Sequence, residues 1–371
     1  MTEWAPELEA PALFDVEAPP PVSLMDKFLL PPFSILDRRQ GLWQDRKRAW
    51  LSLGIASEVG RADQLTWGIS NRGVTSPKNT FMAEHFASIG PQTSVFDPVT
   101  CEVVYRWFTN KGDLVLDPFC GGSVRGITAS ILGRHYTGID LRQEQVDANY
   151  TQIGIASGPA PEWVVGDARY PHRVLAPQVR PDLVFSCPPY GDLEVYSDDP
   201  NDLSTMSYPE FVAAHRQTIA ASTALLAPNR YACWVISDIR DPEGHYRGLV
   251  GETVLAFEAA GLRLLNDCVI TDMAGSAPVR AEAPFRANRK VTRVHQHLLV
   301  FVKGSIRAAA RRVEHNPPGV VDIDEVYPEE PARAVDDLAA PVPGQEPLPF
   351  EVCVGCQRAQ VFSTPCLVHG V

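Results

Sequence analysis

The sequence predicts an α/β fold: a mostly parallel sheet with helices on both faces and a long antiparallel hairpin at its edge. Three observations predict it. Short apolar runs of strand length alternate with helix-length segments through the middle of the chain. Three successive runs end at Asp117, Asp140 and Asp167, each at the point where a strand gives way to a turn. Two longer runs, 262–271 and 295–303, are placed to pair across the loop between them.

Composition bounds the rest. A chain of 371 residues holds one large domain or two smaller ones, and 45% hydrophobic with 21% charged residues is globular. A formal net charge of −12 argues against a nucleic-acid partner until its distribution is considered. Residues 322–351 hold nine acidic residues and one arginine, so basic clusters stand out in the remainder. The chain opens without a basic n-region and apolar run, and no apolar stretch approaches the roughly 18 residues that cross a bilayer. The expectation is therefore a cytoplasmic protein with no membrane association. Of eight cysteines, three crowd the last nineteen residues. This is not a disulfide framework but reduced thiols with a terminal metal site.

In chain order, residues 1–21, rich in Pro, Ala and Glu, are expected to be disordered. Residues 22–93 form a basic and aromatic arm, where Phe33, Trp43 and Trp50 alternate with Arg38, Arg39, Arg46, Lys47 and Arg48. Helices are expected there over 44–53 and 81–89. Two readings of the arm are open: a satellite layer with its charges solvated, or an arm whose cations contact phosphates while its aromatics anchor it.

The main domain is placed at 94–304. Its first helix, 98–108, has Asp97 as N-cap, Pro98 at the first helical position and Gly112 beyond its end. Strand 114–116, helix 124–132, strand 136–139, helix 143–150 and strands 163–165 and 182–185 follow. Helix 211–226 stops before Pro228, strand 231–236 succeeds it, and helix 251–260 is stopped by Gly261. With the two long strands this makes seven. An acidic, Pro-rich linker is assigned to 305–350 and a small metal module to 351–371.

Chemistry concentrates at the strand ends. The turn 117–123 carries Gly121 and Gly122, which bring backbone N–H groups and a helix N-terminus towards a ligand. Asp140, about twenty residues on, suits both hydroxyls of a ribose. Asp167 is placed to meet an adenine edge. Singly each aspartate also reads as a helix cap; in this order they describe an adenosine crevice. The fourth strand runs into Ser186, Cys187, Pro188, Pro189 and Tyr190. The prolines end the ladder and fix the neighbouring carbonyls, and Tyr190 adds a flat ring. Rigid acceptors beside a stacking surface suit a planar base bearing an amino group.

The segment 191–208 reads equally as a flap over this site or as a surface loop. Between the last two strands, Arg280, Arg286, Arg289, Lys290 and Arg293 put five cations in fourteen residues, which points to phosphate contacts, against the plainer reading of a solvated loop. Cys353, Cys356, Cys366 and His369 have the two-knuckle spacing of a structural zinc (Zn2+) site.

Leu-Asp-Pro-Phe-Cys-Gly-Gly-Ser at 116–123, Gly-Ile-Asp at 138–140 and Ser-Cys-Pro-Pro-Tyr at 186–190 resemble the S-adenosylmethionine-dependent DNA amino-methyltransferases, in the form of the bacteriophage DNA methylases. The resemblance covers residues 94–303. It implies a Rossmann-like seven-stranded methyltransferase sheet, S-adenosyl-L-methionine as cofactor, DNA as partner, and methyl transfer to N6 of adenine or N4 of cytosine in a bacterial or phage-infected cell. By it, Asp117, Phe119 and Gly121 line the methionine end of the cofactor, with Pro118, Cys120, Gly122 and Ser123 completing the loop. Asp140 holds the ribose, Asp167 the adenine, and Ser186–Tyr190 a flipped-out base. Two positions depart from the family pattern. The loop ends Gly122-Ser123, where a small residue and then glycine are usual. Cys187 stands where an oxygen acceptor is usual, and a thiol accepts poorly. The reading therefore rests on Ser186 and the backbone carbonyls. Cys187 also opens a rival, thiolate addition to C6 of a pyrimidine for transfer to C5. A non-catalytic nucleic-acid-binding protein on the same fold is the further alternative.

Overall fold

Strands that lack polar alternation need cover on both faces, and the central strands have it. In the computed structural model, which describes residues 24–56, 96–191, 195–272 and 277–313, Leu183–Ser186 is buried at every position and Leu114–Asp117 at all but its first. The described strands are β1 (Ile35–Asp37), β2 (Leu114–Asp117), β3 (His135–Asp140), β4 (Glu162–Val165), β5 (Leu183–Ser186), β6 (Arg230–Ile236), β7 (Leu262–Thr271) and β8 (His295–Lys303). They form one sheet in the order β1-β7-β8-β6-β5-β2-β3-β4. Only the two pairings of β8 are antiparallel. The described helices are α1 (Leu24–Phe28), α2 (Gly41–Ser52), α3 (Pro98–Phe108), α4 (Val124–Ile131), α5 (Gln143–Tyr150), α6 (Tyr208–Leu225), α7 (Leu249–Ala259), α8 (Ala277–Asn288) and α9 (Ile306–Val313).

Caps set several helix boundaries. The Asp97 carboxylate accepts from the N–H groups of Val99 and Thr100 at 3.0 and 3.1 Å, which starts α3 where the sequence places it. Glu210 accepts from the Ser207 N–H at 3.1 Å at the head of α6. The core lies under the middle strands: Leu116, Val184, Trp234 and Phe301 pack with Phe257 of α7, whose ring stacks on Phe301 at 4.0 Å.

From β2 the chain moves outward to β3 and β4, then returns to β5 on the other side of β2. The loops after β2 and β5 therefore diverge, and a crevice opens at their carboxyl ends.

Four expectations need correction. The sheet has eight strands, not seven, because Ile35–Asp37 of the arm pairs in parallel with Val269–Thr271. The two long strands pair as expected, but β8 sits between β6 and β7 and the edge belongs to β1. The segment between β7 and β8 is not all loop: α8 occupies much of it, despite Pro284. The stretch after Gly304 opens with α9 rather than with linker. The expected helix at 81–89, the first 21 residues, and Cys353, Cys356, Cys366 and His369 lie outside the described residues.

The arm is a layer, as one reading has it, yet several of its charges pair with carboxylates of the domain, while Arg39 and Arg48 stay exposed. Trp43 and Trp50 are buried, and their indole N–H groups reach Asp97 (3.3 Å) and Glu102 (2.8 Å). Glu102 is fully buried in α3 and also accepts from Arg46 and from Arg106 (2.7 Å). Burial pushes the Glu102 carboxyl up, but Arg46, Arg106 and Trp50 outweigh it and hold it below the usual carboxylate range. Lys47 faces Asp97 at 3.5 Å, and Arg38 pairs with Asp272 at 2.8 Å.

Candidate active site

The loop after β2 turns sharply at Gly121, whose φ of +48° suits glycine. It lies so close to β3 that a Cβ on Gly138 would come within 2.6 Å of the Cys120 Cβ. Two aspartates hold this turn in different ways. Asp140 accepts from the N–H groups of Gly121 (3.1 Å) and Arg142 (2.9 Å), so it ties the end of β3 to the loop. Burial raises its carboxyl above the ordinary value, partly offset by those donors. Asp117 is wholly buried, and its oxygens accept from Arg125 Nε (2.5 Å), Tyr136 Oη (2.7 Å), Ser186 Oγ (2.6 Å) and Phe119 N (3.1 Å).

A cleft of about 240 Å³ runs along the carboxyl ends of the central strands. Pro118, Phe119, Cys120, Gly121 and Gly122 form one wall, with Asp140 and Asp167 further along. Cys187, Pro188, Pro189 and Tyr190 form the facing wall. Tyr196, Asn201, Asp202 and Leu203 also line it, so part of the segment after the prolines is cleft wall rather than outer surface. The Asp167 carboxylate pairs with Arg169 at 2.7 Å, and Arg169 also reaches Asn201 at 2.9 Å.

Three residues assigned to the site from sequence do not line the cleft. Asp117 lies behind the loop as the anchor just described. Ser123 is buried and donates to Gln152 at 3.1 Å. The Ser186 hydroxyl is buried, donates to Asp117 and accepts from the Phe119 N–H at 3.1 Å. This corrects the expectation that Ser186 supplies a side-chain acceptor in place of Cys187.

Arg125 is a site residue that the motifs do not mark. Its guanidinium, almost fully buried, pairs with Asp117, donates to the carbonyls of Phe119 (2.6 Å) and Cys120 (2.9 Å), and lies 4.5 Å from the Phe96 ring. Burial opposes its charge and Asp117 outweighs that, so it stays protonated. One signal exists in the sequence: a cation in the first turn of a helix opposes the macrodipole and implies a nearby anion.

Cys187 Sγ lies 3.4 Å from Tyr190 Oη. Burial pushes its thiol above the ordinary range, although Arg125 and Tyr190 pull the other way. That is the reverse of an activated thiolate.

Of the basic cluster, Arg286, Arg289, Lys290 and Arg293 do not line this cleft. Arg286 is exposed and pairs with Glu282 at 2.9 Å. Arg289 is exposed and lies 5.4 Å from the Phe285 ring, and Arg293 lies 4.9 Å from the Tyr246 ring. Lys290 crosses the backbone of Gly244. The Arg280 side chain lies outside the described residues.

Residues 76–151 match the family described as DNA methylase, the N6/N4 methyltransferases. The match takes in the glycine loop and Asp140 and stops before Asp167 and the Pro-Pro-Tyr stretch. The resemblance to DNA amino-methyltransferases read from the motifs is thereby borne out. Among solved structures the chain is similar to TrmN from Thermus thermophilus, at 16% identity and TM-score 0.38, over 56% of this chain and 49% of that one. It spans about half the length of that protein. It is also similar to an S-adenosylmethionine-dependent methyltransferase from Methanosarcina mazei (14%, TM-score 0.37, 57% and 99%). A third likeness is to magnesium protoporphyrin IX methyltransferase from Synechocystis PCC 6803 with bound S-adenosylmethionine (14%, TM-score 0.35, 63% and 87%). No helix among the described residues is long and apolar enough to cross a membrane.

Proposed function

We propose that the chain is an S-adenosylmethionine-dependent methyltransferase acting on the exocyclic amino group of adenine or cytosine in DNA. The observation that carries this reading is one cleft in which the glycine loop, Asp140 and Asp167 share the space with Cys187–Tyr190.

The residues present fit the cofactor. Gly121 and Gly138 keep the loop and the strand beneath it free of Cβ bulk. Asp140 would accept from the ribose hydroxyls and Asp167 would meet the adenine. Phe119 and Gly121 would lie along the methionine end, on a loop held from behind by Asp117 and Arg125. When bound, S-adenosylmethionine supplies an electrophilic methyl group.

The rest falls to the chain. An exocyclic amine is a weak nucleophile because its lone pair is delocalised into the base. Acceptors fixed around the Pro188-Pro189 turn would take its N–H bonds and favour a pyramidal nitrogen with a localised lone pair. The gain comes from placement and electrostatics rather than covalent attachment. Tyr190 would stack on the extruded base. The raised thiol of Cys187 favours this reading over transfer to C5 of a pyrimidine, which needs a thiolate.

The test is to express the chain, digest the host DNA and identify modified nucleosides by mass. N6-methyladenine or N4-methylcytosine is expected, and Cys187→Ser should still produce it. DNA without a methylated amine sinks the proposal, and loss of nearly all activity in Cys187→Ser turns it to the covalent alternative.

A further inference from the structure

The cleft has a polar wall that comes from neither the cofactor loop nor the Pro-Pro turn. Gln296 of β8 lines it, and its amide is held at both ends. Gln296 Nε2 donates to Asp272 Oδ2 at 3.3 Å, and Gln296 Oε1 accepts from the Tyr190 hydroxyl at 3.3 Å. Asp272 is paired with Arg38, which also donates to Thr100 Oγ1 at 3.0 Å and itself lines the cleft.

The orientation of this amide follows from its partners. A carboxylate only accepts, so the NH2 end turns to Asp272 and the oxygen to Tyr190. A carbonyl oxygen has two lone pairs, and the Tyr190 hydroxyl takes one. The other remains for a donor inside the cleft. The oxygen also lies next to the position that lacks one, since Tyr190 Oη contacts both Gln296 Oε1 and Cys187 Sγ, at 3.3 and 3.4 Å. Ser186 cannot fill that gap, because its hydroxyl is buried and engaged with Asp117 and Phe119. A thiol fills it poorly.

We propose that Gln296 Oε1 is the side-chain acceptor for the amino group of the target base. Asp272 and Arg38 are positioning residues that keep the oxygen turned inward. The inference rests on the amino-methyltransferase reading and names the group that reading lacked. It also explains how cysteine is tolerated before Pro-Pro: the acceptor has moved to another strand.

The test is single-turnover methyl transfer with Gln296→Met, which keeps the shape and removes the amide. The rate should fall about 10²–10³-fold, the usual cost of losing one oriented polar partner of the reacting group. S-adenosylmethionine affinity by calorimetry and the melting temperature should not change. Cys187→Asp, placed in the Gln296→Met background, restores an oxygen at the family's usual position and should recover much of the rate. Asp272→Asn, which lets the amide turn over, should lower kcat with little change in KM for DNA. A Gln296→Met enzyme as fast as wild type overturns the inference, and so does a loss that Cys187→Asp fails to recover. Wild-type protein that leaves no methylated amine in DNA overturns the function itself, a different and separately visible result.

Discussion

Residues 38–48 and 285–293 both interleave arginine and lysine with aromatic or apolar side chains, yet the fold uses them differently. In the first stretch three of the five cations meet carboxylates on other elements, Arg38 at Asp272, Arg46 at Glu102 and Lys47 at Asp97, while Arg39 and Arg48 pair locally with Asp37 and Asp45. Glu102 and Asp97 belong to or cap α3 and are buried, so these pairs fasten the arm to the domain. In the second stretch Arg289 and Arg293 lie against the rings of Phe285 and Tyr246, and Arg286 pairs only within its own exposed helix turn. The lesson is that composition does not separate a structural cation from an available one. What separates them is a carboxylate facing the cation from a neighbouring element, out of water.

The contrast can be broken most strongly at Glu102. Glu102→Ala leaves Arg46 and Arg106 beside an empty buried position and should cost about 3–5 kcal/mol of stability, read from denaturant unfolding. A loss no larger than that of a surface substitution would mean the arm merely rests on α3.

A smaller effect is the share of that stability that acid removes. The Glu102 carboxyl sits below its ordinary value of 4.5 in the folded chain, so its contribution is present above that pH. It is lost as pH falls through the folded value. Glu102→Gln should therefore flatten the acid limb of the unfolding midpoint against pH, whereas an unchanged limb would assign the acid sensitivity elsewhere.

The smallest effect on stability is expected in the second stretch. Replacing Arg286 and Arg289 together by glutamine should change stability by only about 0.5 kcal/mol, as exposed positions do. Its signature is in binding: the slope of log affinity for DNA against log salt should become shallower by about 0.9 for each phosphate that is no longer neutralised. Anisotropy titrations at several salt concentrations measure it, and an identical slope removes this cluster from the DNA interface.

How far the sequence could be read follows the same distinction between local and distant causes. Helix 98–108 carries its own boundary in the Asp97 cap, and the limits of helix 143–150 and of strands 262–271 and 295–303 also needed no change. β1 has three residues, too few to show a period, and it exists because β7 offers an edge. Pro284 and a run of arginines hid α8. At the site, the strand ends located the cleft-lining loop, Asp140, Asp167 and Cys187–Tyr190. They did not reveal that Asp117 and Ser186 lie behind the wall and bond to each other. Gln296 and Arg38 come from separate segments and meet through Asp272 only in the folded chain, so no local pattern marks their part in the cleft, and Arg125 is marked only by its place in the first turn of α4.

The arm strand also fixes an order of events during synthesis. Asp37 and Thr271, which bond across β1 and β7, are 234 residues apart in the chain. A ribosome releases β1 long before its partner exists, so the first strand made is among the last to be placed. Arg38 follows directly after β1 and pairs with Asp272, the carboxylate to which Gln296 donates. The cleft wall that Gln296 lines is thus completed only once nearly the whole sheet has emerged, long after the glycine loop after β2 has been made.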